Sequence, residues 1–277
     1  MITTPREDRT HFYPARFTAQ AQSQIIEMDG DAFHEVTSLY AADDDSPAGL
    51  ASTLPTSSYR LQVRDIGQNG GTWFNTPVIS NLVFGNAANP RTLRAPIVLP
   101  PNAVLQIESS AGALTPDYNR FDVCLWGVKR YQMSAQEFAE KRQRPYFVYA
   151  TTLPQTVAGT AGFRQTIQIA TDADFVVQTL LGAGVFATTG TLADFSAVRV
   201  QIRDLSAGKQ FFQNPMGWFQ VFGEPDIWMG PNRLLSPMIF KRMSQIEVEV
   251  TIDTDDVASI STFSDVQVGF EGYKIKD

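Results

Sequence analysis

The stretch Tyr59-Arg-Leu-Gln-Val-Arg-Asp-Ile66 decides the fold, because it returns later in the chain as Val198-Arg-Val-Gln-Ile-Arg-Asp-Leu205. Arg60, Gln62, Arg64 and Asp65 reappear as Arg199, Gln201, Arg203 and Asp204, while the other four positions exchange one apolar residue for another. Within each copy polar and apolar residues alternate, the period of a strand with one buried face. The correspondence continues outward. Trp73-Phe74 matches Phe211-Phe212, Pro77 matches Pro215, Phe84-Gly85 matches Phe222-Gly223, and Pro90, Leu93 and Pro96 match Pro231, Leu234 and Pro237. Gln106-Ile-Glu108 then falls opposite Gln245-Ile-Glu247, and Asp122-Val123 opposite Asp265-Val266; upstream, Phe33 and Thr37 fall opposite Phe175 and Thr179. Collinear matches at a spacing of about 140 residues mean a whole domain written twice, not a solenoid of short units.

Further alternating runs at Val104–Glu108, Phe121–Trp126, Thr166–Ala170, Gln245–Thr251 and Val266–Phe270 predict more strands. Turn signals at Asn69-Gly70-Gly71, Pro100-Pro101-Asn102, Asn214-Pro215 and Gly230-Pro231-Asn232 separate them. The fold class that follows is all-β: two tandem, internally duplicated β-sandwich domains of jelly-roll-like character, joined by a short α-helical linker. Jelly-roll and immunoglobulin-like strand orders both satisfy the pattern. The expected bounds are an extended arm at 1–19, a sandwich at 20–132, a linker at 133–144 and a second sandwich at 145–277. In the linker, Ser134-Ala-Gln-Glu137 reads as a capping box, Lys141 and Arg142 suit the helix C-terminus, and Pro145 stops it.

Composition narrows the function. The 277 residues are 43% hydrophobic but only 18% charged, and 22 basic against 29 acidic residues give a net charge of −7. No global positive field exists to hold a phosphate backbone, which argues against nucleic acid as the main partner. No apolar run reaches the length of a membrane span. The polar start of the chain lacks the apolar segment of a secretory signal, and the lone Cys124 cannot form an intrachain disulfide; synthesis and assembly in a cytoplasm are expected.

Catalytic constellations are not expected. A nucleophile needs a base held beside it, yet the only histidines are His11, in the arm, and His34, beside Phe33. Both read as ordinary surface or strand residues. Cys124 reads as a small buried strand residue. The acidic groups Asp43-Asp44-Asp45, Asp172/Asp174 and Asp253/Asp255/Asp256 lack the spacing of a calcium loop and read as turn caps. No catalytic, cofactor or metal residue is therefore assigned, and the chain is not expected to be an enzyme.

What remains points to contact with partners. Arg60, Gln62 and Arg64, like Arg199, Gln201 and Arg203, project from one strand face as a duplicated polar ladder that suits a second chain or structural bonding. Arg6, Arg9 and Arg16 in the arm are placed to reach a neighbour. Trp73 and Trp126 read as core. Trp228, in a loop between Pro225 and Pro231, has no aromatic counterpart in the first copy and is the tryptophan best placed for an interface.

Taken with Tyr59–Ile66, Trp73–Pro77, Asn214–Trp218 and Pro231–Pro237, the tandem sandwich, arginine-bearing arm and low charge resemble a virion structural protein of a tailed bacteriophage, capsid-associated and of jelly-roll type. The resemblance implies a non-enzymatic, homo-oligomeric component of the virion that decorates or cements the shell, occupies a vertex or joins head to tail. Its partners would be the major capsid protein or neighbouring copies. A carbohydrate-binding or receptor-binding module using exposed aromatics is the alternative.

Overall fold

A computed structural model describes residues 7–18, 21–43, 59–67, 71–85, 90–111, 121–153, 163–186, 198–224, 230–252 and 263–275. The first sandwich contains β1 (Arg9–Phe17), β2 (Gln22–Glu27), β3 (Phe33–Asp43), β4 (Tyr59–Asp65), β5 (Gly71–Thr72) and β6 (Val78–Ile79). It continues through the one-turn helix α1 (Ser80–Val83), β7 (Arg91–Leu99), β8 (Val104–Ala111) and β9 (Phe121–Arg130). After the linker helix α2 (Ala135–Arg142) the order repeats as β10 (Tyr146–Leu153), β11 (Phe163–Gln168), β12 (Asp174–Phe186), β13 (Val198–Asp204), β14 (Lys209–Gln210) and β15 (Met216–Gly217). Helix α3 (Trp218–Phe222) follows, then the added pair β16 (Gly223–Glu224) and β17 (Gly230–Pro231), and finally β18 (Arg233–Phe240), β19 (Gln245–Ile252) and β20 (Phe263–Ile275).

In the first half one sheet runs β1-β9-β3-β7 and the other β2-β8-β4-β5; in the second they run β10-β20-β12-β18 and β11-β19-β13-β14. Each sheet thus draws strands alternately from the two ends of its domain, which is the jelly-roll order and not the immunoglobulin one. Phe17, Leu39 and Phe121 from one sheet meet Leu61, Val63 and Ile107 from the other in the first core. Phe175, Phe240 and Phe270 meet Val200, Ile202 and Val248 in the second.

The structure corrects several expectations. Residues 9–17 are not an extended arm: they pair with β9 from Arg9↔Lys129 to Phe17↔Phe121, and Tyr13, Ala15 and Phe17 point into the core. Pro14 is tolerated there because β1 is an edge strand. The linker keeps half of its capping box. Ser134 Oγ accepts the Glu137 N–H at 3.1 Å, but the Glu137 carboxylate turns instead to Lys141 (3.4 Å) and Arg130 (3.9 Å).

The repeat is also more exact in space than the letters suggest. A bulge in β3 between Val36 and Ser38 recurs in β12 between Val177 and Thr179, opposite Gly127 and Gly272. A Cβ at either glycine would sit 2.1 Å from Glu35 O or 1.8 Å from Val176 O, so only glycine lets the strands approach there. With these two positions superposed, Lys129 corresponds to Lys274, His34 to Phe175 and Trp126 to Glu271. Identical letters lie one residue out of this spatial register in β3 and two residues out in β8 and β9, because loops of unequal length intervene.

Candidate assembly surface

The two sandwiches are joined by a buried seam built from short elements of the first and one sheet of the second. Trp73–Asn75 lies along the edge strand β10: Val148 N–H donates to Trp73 O (2.9 Å) and Asn75 N–H to Val148 O (3.2 Å). The Asn75 side chain completes the addition, accepting from Ala150 N (2.7 Å) and donating to Ala150 O (3.0 Å). Gln267, fully buried on β20, accepts from Ile79 N (2.6 Å) and donates to Pro77 O (3.1 Å) and Thr152 Oγ1 (3.0 Å). Leu82 of α1 packs against Gly269 of β20.

Deepest in the seam, Arg91 Nη2 meets Glu271 Oε2 at 2.5 Å with side chains only 9% and 5% exposed. Arg91 Nε and Glu271 Oε1 have no hydrogen-bond partner among the described residues, so this pair is costly to bury. Burial and the Glu271 carboxylate push the Tyr146 phenol well above its ordinary range. At the rim Arg94 donates to Leu234 O and to Gln178 O, and Arg233 donates to Thr92 O at 3.3 Å.

Because the domain is duplicated, each half of this seam has a counterpart elsewhere on the chain. The segment that docks, Trp73–Asn75 with β6 and α1, corresponds to Phe211–Gln213 with β15 and α3. Trp73, Phe74 and Ile79 are buried, whereas Phe211, Phe212 and Gly217 remain partly exposed. Arg94 corresponds to Leu235, which is fully exposed on β18. The face that receives, on β10, β20 and β12, corresponds to the outer face of β1, β9 and β3. There Phe12, half exposed, stacks on Trp126 at 5.3 Å beside Tyr40 and Pro14. Among the described residues, nothing covers the Phe12–Trp126 face, and no second sandwich lies on the Phe211–Gln213 segment, whose phenylalanines pack in part on their own core.

The residues singled out in the sequence are distributed otherwise than expected. Gln62 and Gln201 are buried and serve the fold: each Nε2 donates to the carbonyl of the neighbouring segment, Phe74 O at 3.0 Å and Phe212 O at 2.8 Å. Arg64 pairs with Glu108 (3.2 Å), and Arg203 with Glu247 (2.8 Å) and Glu249 (2.5 Å), across neighbouring strands. The two carboxylates raise the Arg203 pKa further. Arg60 reaches Thr152 of the second sandwich (3.1 Å), whereas its counterpart Arg199 lies near Gly217. Arg9 and Arg16 are exposed on β1, Arg16 lying 3.7 Å from Asp122. Trp126 belongs to the outer face and not to the core, while Trp73 and Trp218 are buried. Arg6 and Trp228 lie outside the described residues, as do Asp44, Asp45, Asp253, Asp255 and Asp256.

His11 sits on a strand against Tyr13 (4.5 Å between rings), not on a loose arm. His34 is buried, its Nδ1 2.6 Å from the Tyr13 hydroxyl and its Nε2 2.9 Å from Asp29 O; burial lowers its pKa. Cys124 is buried beside Tyr40, and burial raises both its pKa and that of Tyr40, the latter to about 12. Asp174 caps Arg242 N (2.9 Å) and pairs with Lys241, and Asp172 pairs with Lys274. Among the described residues no group of three or more potential metal ligands occurs, and none of their helices is long and apolar enough to cross a membrane. The seam and the open surfaces went unseen in the sequence because they depend on which strands form sheet edges.

No protein-family model and no curated sequence matches the chain. Among solved structures, the crystal structure of the STIV MCP aligns over 98% of this chain and 97% of its own, with 10% identity and a TM-score of 0.50. The atomic structure of Sulfolobus Turreted Icosahedral Virus aligns over 98% and 91%, with 12% identity and a TM-score of 0.51. A peptide-N(4)-(N-acetyl-β-D-glucosaminyl) asparagine amidase aligns at 13% identity over 96% of each chain, with a TM-score of 0.40. At these identities the two viral structures share the fold of this chain along nearly its whole length, and they single out no group of viruses, tailed phages included.

Proposed function

We propose that the protein is a structural subunit of a virion shell whose copies associate head to tail, the Phe211–Gln213 edge of one seating on the Phe12–Trp126 face of the next. The observation that carries this reading is the duplication of the seam: both halves of a contact that the chain already makes once within itself are present again and, among the described residues, uncovered. Exposed aromatic and aliphatic side chains grouped in this way mark contact surfaces. A heterologous contact closes into a ring or runs on as a filament, and a shell unit requires the ring. The double-sandwich likeness to the two viral structures supports the same reading. Decoration of a shell built by another protein, and a tailed-phage source, are narrower versions for which no residue argues. For the glycan-binding alternative, Trp73 and Trp218 are interior and offer no platform, while Trp228 lies outside the described residues.

Sedimentation of the purified full chain should show a discrete closed oligomer. Phe12→Asp, on a half-exposed side chain, should shift it to the single chain, and Leu235→Glu should do the same. Mass spectrometry of purified particles should find the chain as an abundant component. A wild-type chain that stays monomeric at tens of micromolar, and is absent from particles, overturns the proposal.

A further inference from the structure

A cavity of about 670 Å³ opens where the linker helix meets both sandwiches, at the end of the seam and away from the Phe12–Trp126 face. Its size is within the roughly 300–1,000 Å³ of sites that take small ligands or short segments. Its walls include aromatic rings from three parts of the chain: Trp73 from the first sandwich, Phe138 from α2, and Tyr146 and Phe147 from β10. In a protein of net charge −7, the lining is cationic: Lys141, Arg142, Arg144 and Lys274 stand against Asp65 and Asp172. Lys274 is already tied to Asp172 and lies 4.2 Å above the Phe147 ring, and Lys141 is tied to Glu35 and Glu137. Arg144 is different. Its guanidinium rests over Tyr273 at 5.6 Å and meets no carboxylate among the described residues.

One wall is the run Pro96–Pro100, and β7 is the edge strand of its sheet. Residues of an antiparallel strand bond alternately to one side and the other. Ile97–Leu99 pair with β3 alone among the strands, so alternate backbone groups point away from the sheet, and the flanking prolines confine that edge to these few residues. A strand edge beside aromatic walls and a guanidinium that meets no carboxylate among the described residues suits an extended chain better than a compact molecule.

We propose that this cavity binds a short extended acidic peptide segment bearing aromatic residues, supplied by a partner protein, which adds to the edge of β7 and places a carboxylate on Arg144. Arginine holds a carboxylate with two parallel bonds, so register is set as well as affinity.

The probe is a fluorescein-labelled, N-acetylated peptide amide of sequence Asp-Phe-Asp-Phe-Asp, titrated with the full chain and read by fluorescence anisotropy. One site per chain is expected. The Lys-Phe-Lys-Phe-Lys analogue should bind at least about tenfold more weakly, and Arg144→Glu should weaken the acidic peptide by a similar factor. Arg144→Lys, which keeps the charge but not the fork, should recover part of the loss. The site lies within one chain, so the Phe12→Asp variant should bind as wild type does; this separates failure here from failure of the assembly reading. Equal binding of the two peptides, an unchanged affinity in Arg144→Glu, or loss of binding in Phe12→Asp overturns the proposal.

Discussion

The seam inside the chain and its two counterparts are built on the same backbone with opposite chemistry. Where the seam holds Arg91 against Glu271, the counterparts are Asn232 and Trp126. Arg94, which clasps two carbonyls, gives way to exposed Leu235. Asn75 exchanges two bonds with Ala150, but Gln213 would face Pro14, which has no N–H to give. A contact between copies therefore cannot simply repeat the internal one. The physical reason lies in the tether. Sandwiches linked by a short helix meet at high effective concentration, so their contact can rest on directional polar groups that fix geometry while adding little net stability. Separate copies must first offset lost translational and rotational freedom, and aromatic and aliphatic burial is the stronger source of affinity.

The largest expected effect tests the polar half of that contrast. Glu271→Ala leaves the Arg91 guanidinium buried without its partner, and urea unfolding should show a loss of about 3–5 kcal/mol. Trp126→Ala, at the position corresponding to Glu271, should cost the isolated chain only about 1 kcal/mol, since its ring is partly exposed in a single copy. The same substitution should weaken the oligomer far more, as sedimentation would read. Similar losses of chain stability in the two variants would erase the distinction between seam and open face.

A middle-sized effect tests what the duplication conserved. Gln62→Ala and Gln201→Ala each strip a donor from an inward-facing carbonyl, Phe74 O or Phe212 O, and each should cost about 1–3 kcal/mol. The first should cost more, because Phe74 is fully buried under the second sandwich while Phe212 is partly open to water. Equal losses would mean that docking does not tighten the segment.

These glutamines also mark the limit of what could be read from the letters. The strand in Tyr59–Asp65 and its repeat were legible, because alternation and identity coincide there. That Gln62 is buried was not, since a polar residue on the polar face gives no sign of the short segment laid across it. Arg9–Phe17 carried a strand signal in Tyr13, Ala15 and Phe17, masked by Pro14 and by the consecutive aromatic rings at 11–13. The edge positions of β1, β7, β10 and β18 decide the candidate surfaces, yet they follow from long-range pairing that single-chain patterning leaves open.

The smallest expected effect comes from the ends of the two sandwiches. Lys274 sits over Phe147 and Tyr149 and pairs with Asp172. The corresponding Lys129 pairs with Asp29 and Asp31, but His11 and His34 replace Phe147 and Phe175 around it. Burial holds the His34 pKa below the ordinary 6.5, while the bond to Lys129 holds Asp29 below 3.8. The two groups act in separate windows. Above about pH 6.5 His34 is neutral in both folded and unfolded chains. As pH falls through that value the unfolded chain takes up a proton that the folded chain refuses, so stability declines and levels off below the folded pKa. Asp29 adds its own loss only below about pH 4. Stability measured by urea unfolding between pH 7 and 5 should therefore slope downward with acid. His34→Phe, which installs the residue of the second sandwich, should flatten that slope while leaving the steeper loss below about pH 4 in place. An unchanged slope in this variant would show that His34 does not set the acid sensitivity between pH 7 and 5.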